Sequence, residues 1–353
     1  MFPRLLINTN KITENARWIV EAAKPFGVNI TGVNKGSCEC PAVAKAMLAG
    51  GVGAIGDSRM ENFKKISDLN CEKWLIRIPM LSELEDVVRY ATLSCQSETG
   101  TIRATEKICA EQNQTHDVIV MTDLGDLREG CFETEDLLNC VAAVITSPHL
   151  NFKGIGVNLS CAGAIVPTLE TYEKFTQMQV AIQDRFGIDC EITSGGASST
   201  FFMVKDGTIP NCINNLRVGE MILLGTDISN NIAYDELHHD TFVLQAEIVE
   251  IKTKPSHPIG KIGRDSKGRE LVFPDKGIRK RALCALGHQD TPSEELFPTD
   301  PAISVVTASS DHLILDITDC EQTYAVGDII SFHLNYVSML NAFTSPYVEK
   351  VIL

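Results

Sequence analysis

Eight short apolar runs recur between residues 28 and 218, and segments with helical periodicity lie between most of them. The runs cover 28–34, 52–56, 74–78, 92–96, 117–122, 154–159, 190–193 and 215–218. The helical patterns cover 41–49, 61–66, 83–91, 100–112, 133–145 and 168–186, with a further helix over 12–23. Strands alternating with helices imply βαβ units and a parallel sheet. Eight such strands fit an α/β fold closed into a (β/α)8 TIM-type barrel. A doubly wound open sheet is the alternative; no GxGxxG follows the first run, which weighs against it.

After about residue 230 the pattern changes. Runs at 241–252, 277–287, 303–308, 313–317, 328–334 and 348–353 read as strands with no long helical pattern between them. The chain of 353 residues therefore divides into a barrel over 1–232 and a C-terminal mostly-β domain over 233–353. The first roughly ten residues are candidates to pack with the β domain.

A formal charge of −15 and the absence of a basic stripe exclude nucleic acid as a partner, since nothing offsets phosphate repulsion. The same charge mildly favours a cationic small molecule. No apolar run approaches the ~18 residues that suggest a membrane span. The N-terminus, Met1-Phe2-Pro3-Arg4, carries no secretory pattern, and the 12 cysteines are scattered without metal-ligand spacing. Reduced thiols in a cytoplasmic protein, with no metal, are the expectation.

In a barrel of this kind chemistry sits at the C-terminal ends of the strands. Those ends carry Lys35, Asp57-Ser58-Arg59, Arg77, Ser97, Asp123, Asn158-Leu159-Ser160, Ser194-Gly195-Gly196 and Arg217. A lysine in a barrel mouth is partly desolvated, which lowers its pKa and yields the neutral amine that attacks a carbonyl. A solvated strand-end lysine fits the position of Lys35 equally well. The small residues of 194–199 let backbone N–H groups approach a phosphate, as would any Gly-rich turn. The loop 123–130 offers a carboxylate at Asp123 and, at Arg128, a fork for a substrate carboxylate. Asp123 and Asp126 could also pair on a metal, but no other ligand cluster accompanies them.

Taken together, these segments resemble the alanine racemase superfamily, the barrel-type pyridoxal-phosphate enzymes, and within it the ornithine racemase group. Gly32-Val33-Asn34-Lys35, Asp57-Ser58-Arg59-Met60-Glu61-Asn62, 123–130, 154–159, 194–199 and Asn214-Asn215-Leu216-Arg217-Val218-Gly219-Glu220 carry the likeness, as do 275–281, 287–290, 309–316 and 344–347 in the second domain. The resemblance implies that Lys35 binds pyridoxal 5'-phosphate covalently. It places Ser198, Ser199 and the backbone around Gly219 near the phosphate, Asn158 where a histidine packs on the ring, and Arg217 at the pyridine nitrogen, and it counts Ser194 and Glu220 among the cofactor-binding residues. It assigns Arg128, with Asp311 and His312, to the substrate. It also implies a homodimer with composite active sites.

Four departures qualify the likeness. Gly36-Ser37-Cys38-Glu39-Cys40 replaces a tyrosine-containing stretch; Met121 replaces a lysine; Asn158 replaces a histidine; and the loop 255–265 lacks the tyrosine that serves as second base. Lys35 is then one catalytic base, and Asp265 and His288 lead the candidates for the other, ahead of His312 and His257. The lost tyrosines enlarge the pocket, and Glu39, Glu129 or Asp311 could meet a side-chain amine. The function implied is racemisation of a basic amino acid such as ornithine. The alternatives are an alanine or broad-specificity racemase, or a D-amino-acid aldolase.

Overall fold

The computed structural model describes residues 1–264, 268, 270 and 272–353. After β1 (Arg4–Ile7) come the eight alternating strands: β2 (Asn29–Val33), β3 (Ala54–Asp57), β4 (Glu72–Leu75), β5 (Leu93–Gln96), β6 (His116–Thr122), β7 (Leu150–Val157), β8 (Ile192–Ser194) and β9 (Asn215–Val218). They form a closed barrel in chain order. The parallel seam between β9 and β2 aligns Thr31 with Arg217 and Gly32 with Val218. Closure rules out the open sheet. A short hairpin, β10 (Thr226–Asp227) and β11 (Ile232–Ala233), follows.

The chain divides into two compact units, Thr9–Thr241 and Met1–Asn8 with Phe242–Leu353. In the barrel unit, the helix Thr9–Ala23 buries Ile12, Ala16, Ile19 and Ala23, the single stripe that a 3.6-residue period places on one face. Gly50 comes so close to it that a Cβ there would lie 2.4 Å from the Ala16 methyl. Asn15 on the same helix donates to the carbonyls of Ile222 and His238 and accepts from His238 N, which ties the helix to the end of the barrel sequence.

The barrel interior is layered. Ala54, Trp74, Leu93, Cys95, Ile119 and Met121 form an apolar cluster. A polar string runs beside it: Arg217 Nη1 donates to Ser194 Oγ, Ser194 Oγ to Asn215 Oδ1, and Asn215 Nδ2 to Thr31 Oγ1. His116 is also buried, against Ser94 Oγ at 3.0 Å, and burial pushes its pKa down to about 4, so the ring is neutral near pH 7.

In the second unit, β12 (Phe242–Pro255), β13 (Ile278–Cys284), β14 (Leu296–Pro298), β15 (Ser304–Ala308), β16 (Leu313–Asp316), β17 (Ile329–Leu334) and β18 (Glu349–Ile352) join β1 in one sheet, ordered β14-β17-β12-β13-β16-β15. β1 extends it, antiparallel to β12 and parallel to β18. Two features differ from the sequence expectation. β14 is too short to show an alternation. The helix Tyr336–Thr344 interrupts the strands, and its start is a capping box in which Asn335 Oδ1 accepts from Ser338 N and Ser338 Oγ accepts from Asn335 N. No helix among the described residues is long and apolar enough to cross a membrane.

Candidate active site

Lys35 follows β2 after the single residue Asn34 and opens a tight 3-10 turn, Lys35–Ser37. The turn is closed by two consecutive non-glycine residues in the left-handed region, Cys38 at φ 49° and Glu39 at φ 50°. Each such residue costs on the order of 1 kcal/mol or more and persists only where its surroundings hold it. Lys35 is half-buried, and its Nζ has no hydrogen-bond or ion-pair partner among the described residues. Burial first, and then the Arg128 charge, lower its pKa below 10.5. The solvated-lysine reading therefore gives way: the amine is desolvated and biased toward its neutral form. Glu39, expected near a side-chain amine at the mouth, is instead fully buried beneath the turn, where its Oε1 accepts from Asn34 Nδ2 at 2.9 Å.

Lys35 lines a cavity of about 350 Å³ together with Ser58, Arg77, Arg128, Asn158 and Arg217; Ile76, Ile78 and Glu129 complete the wall. Three arginines in so small a space make a site for anionic groups. Each is braced differently. Arg217 is 5% exposed and donates to Ser194 Oγ at 2.6 Å and to Val157 O at 2.8 Å. Room for its guanidinium comes from Gly156, where a Cβ would lie 3.3 Å from Nη1. Arg77 donates Nε to Ser58 O and Nη2 to both oxygens of Glu83. Arg128 forks onto Glu129 through Nε and Nη2 and donates Nη1 to Cys161 Sγ at 2.8 Å.

The loop that carries Arg128 is shaped by the two carboxylates once open to a metal reading. Asp123 Oδ1 accepts from Gly125 N and Leu127 N. Asp126 accepts from the backbone of Cys161, Ala162 and Ile165. Burial opposes the charge on Asp126, yet these donors hold its pKa below the ordinary value. Both carboxylates thus serve as backbone caps, and among the described residues no three His, Cys, Asp or Glu side chains gather to hold a metal.

Ser198 and Ser199 begin a short 3-10 turn after β8. Ser198 Oγ accepts from Met221 N at 3.4 Å, whereas Ser199 Oγ is buried with no partner among the described residues. Asn158 Nδ2 is likewise buried and unpaired among the described residues. Gly219 lies against β2, where a Cβ would approach Val33 to 3.1 Å, so only glycine brings that backbone so close. Ser194 is fully buried, with its hydroxyl spent on Arg217 and Asn215. Glu220 turns toward Thr226 Oγ1 and Ile228 N. Tyr172 was not singled out in the sequence; its hydroxyl donates to Gly195 O and contacts Thr200 Oγ1, pinning the 195–200 turn. It sits in a helical apolar pattern with Phe175 and reads there as core.

The remaining candidates lie in the β-rich unit. His288 N donates to Ser309 O, and its Nδ1 is buried without a partner among the described residues. Asp311 and His312 are exposed and paired with each other, with Oδ1 to Nδ1 at 3.1 Å. His257 Nδ1 contacts Phe273 O. Asp265 lies outside the described residues.

Comparison with known proteins gives a consistent set. The profile of the alanine racemase N-terminal domain matches residues 7–227. The chain is 42% identical over 353 residues to the ornithine racemase of Acetoanaerobium sticklandii, covering 100% of both. It is 41% identical over 356 residues to the lysine racemase of Thermotoga maritima, covering 99% of this chain and 98% of the relative. The solved alanine racemase of Bartonella henselae with covalently bound pyridoxal phosphate is similar with a TM-score of 0.74 at 15% identity, covering 99% of each chain. At that identity the likeness is one of fold.

Proposed function

The chain belongs to the alanine racemase family, and from that premise we propose that it is a pyridoxal-phosphate-dependent racemase of a basic amino acid such as ornithine. The observation that carries the reading is the convergence of an unpaired, desolvated Lys35 with Arg128, Arg217 and Asn158 in one cavity.

The donors present suit the cofactor. Lys35 Nζ, Asn158 Nδ2 and Ser199 Oγ are polar groups without a partner among the described residues, suited to an aldehyde, an aromatic ring and a phosphate in turn. Lys35 would hold the cofactor covalently, and Ser198, Ser199 and the backbone at Gly219 would meet its phosphate. When bound, pyridoxal 5'-phosphate draws electrons from the substrate α-carbon and so makes the α-proton mobile.

The chain's own residues account for the rest. Lys35, lowered in pKa by burial, would accept the α-proton at Nζ. Arg217 would face the ring nitrogen; a guanidinium does not surrender its proton, so it leaves that nitrogen unprotonated and restrains the electron sink. Restraint favours return of a proton over bond-breaking elsewhere. Arg128 binds the α-carboxylate. Its Nη1 rests on the Cys161 sulfur, a weak acceptor that a carboxylate displaces, while Glu129 keeps the guanidinium aimed.

Proton return on the opposite face requires a second group. His288, with its orphan Nδ1, is our candidate, carried by the β-rich unit of a homodimer. The likeness to ornithine and lysine racemases supports the basic substrate. A racemisation panel over the common amino acids with added cofactor tests the reading: ornithine or lysine should turn over faster than alanine. Faster turnover of alanine overturns the substrate assignment, and no racemisation at all overturns the function.

A further inference from the structure

Two carboxylates beneath the Lys35 turn play no part in the chemistry above, although both are fully buried. Glu39 and Asp57 each show 0% exposure, and the two carboxyl groups are near enough for each to act on the other's charge. Their surroundings are not equal. Asp57 accepts from Ser58 N, Arg59 N and, on both oxygens, Asn62 Nδ2. Glu39 Oε1 accepts from Asn34 Nδ2, but Oε2 has no donor among the described residues. An oxygen that is starved of donors and set beside a carboxylate carries the hydrogen itself.

We infer that Glu39 and Asp57 share one proton, carried on Glu39, and that the pair is a buried latch holding the left-handed Cys38-Glu39 turn that presents Lys35. The latch has a defined path. Asn34 joins Glu39 to the residue before Lys35, and Ser37 donates to Asn34 Oδ1 from the residue two positions after Lys35. On the other side Lys65 Nζ donates to Cys38 O at 2.6 Å and to Asn62 Oδ1 at 3.0 Å. Residues 34, 37, 38 and 39 are thereby each fixed, and a backbone that would otherwise relax out of two positive φ angles is held in place.

The charge state follows from the same burial. Glu39 is pushed up to about 9, by desolvation first and by the Asp57 charge next, while Lys65 opposes. The other titratable neighbours are Cys71, which senses Glu39, and Lys35, which senses Asp57. A second ionisation would set two unscreened negative charges against each other, so the latch opens on the alkaline side. Glu39 and Asp57 are positioning residues: they act on Lys35 through the turn and touch no reacting atom.

The role at Lys35 rests on the cofactor-lysine reading, but the latch can be tested without turnover. Glu39→Gln keeps the geometry, because its amide donates to Asp57 and accepts from Asn34, and it cannot ionise. Glu39→Ala removes both contacts. Amide exchange of the segment 34–40 in wild type, relative to Glu39→Gln, should be near unity at about pH 6 and rise about threefold or more near pH 9.5. Glu39→Ala should exchange faster than both at about pH 6 and lower the rate at which the Lys35 amine is acylated, and Glu39→Gln should restore that rate. A wild-type to Glu39→Gln ratio that stays flat with pH overturns the shared proton. Failure of Glu39→Gln to restore acylation overturns the positioning role. If the exchange behaves as stated while Lys35 takes up no cofactor, the functional reading fails and the latch stands.

Discussion

Arg217 donates its Nη1 to the hydroxyl of Ser194 at 2.6 Å, and both side chains are closed off inside the barrel. The serine, which the family likeness counted among the cofactor-binding residues, is a bracket for the arginine. Ser194→Ala removes the bracket and leaves a buried guanidinium N–H unsatisfied. A loss of roughly 1–3 kcal/mol in stability is expected from that desolvated donor. Chemical denaturation measures it. Turnover should fall about tenfold while cofactor still binds, because orientation and not occupancy is lost.

Glu129 aims Arg128. In Glu129→Gln the charge-assisted fork is weakened and the guanidinium gains freedom. The Michaelis constant for the amino acid should rise several-fold, with the cofactor absorbance unchanged. Stability should move by less than about 1 kcal/mol, since the pair is partly exposed. Steady-state kinetics beside a melting curve separates the two effects.

Tyr172 holds the 195–200 turn by its hydroxyl alone. Tyr172→Phe should cost about 1 kcal/mol of stability through the lost hydrogen bond. The sharper effect is on a phosphate-bearing ligand. Dissociation of pyridoxal 5'-phosphate should accelerate more than dissociation of pyridoxal, which lacks the phosphate. Equal acceleration of the two would detach Tyr172 from the phosphate.

The barrel was legible because period is a local property: each of the eight strands falls on or within a few residues of an apolar run. Lys35, Arg128 and Arg217 were legible because strand ends and family motifs both point to them. What the sequence left hidden depends on contacts between distant residues. Glu39 stands four residues after Lys35 and reads as a free acid; only the fold brings Asp57 beneath it. Arg77 ended a strand without a role until Glu83 closed on it. The helix Tyr336–Thr344 was missed although Asn335 and Ser338 spell its cap, because short apolar runs among strands do not distinguish the two periods.

Burial of Lys35 has a stability cost with a definite sign. Its folded-state pKa lies below 10.5, so below that pH the unfolded chain binds the proton more readily than the folded one. The cost that Lys35 imposes on stability should therefore shrink as pH climbs through the window between the lowered value and 10.5, and comparison with a Lys35 variant separates it from the ionisation of Glu39. Lys35→Met, compared as apoprotein, should melt higher than wild type at neutral pH, and the gap should narrow toward the top of that window. A gap independent of pH would mean that the amine is solvated.

His288 should divide the two directions of the reaction. With His288→Asn, exchange of the α-proton should be lost from one enantiomer and retained from the other, while cofactor binding persists. Symmetrical loss would make it structural.

The central claim is that Lys35 is the residue that takes the cofactor. Borohydride reduction of the cofactor-loaded protein followed by peptide mass analysis measures this directly. The account predicts that the reduced pyridoxyl-phosphate group is found on Lys35 and is absent from Lys35→Met. Its presence on any other lysine, or no incorporation at all, would contradict it.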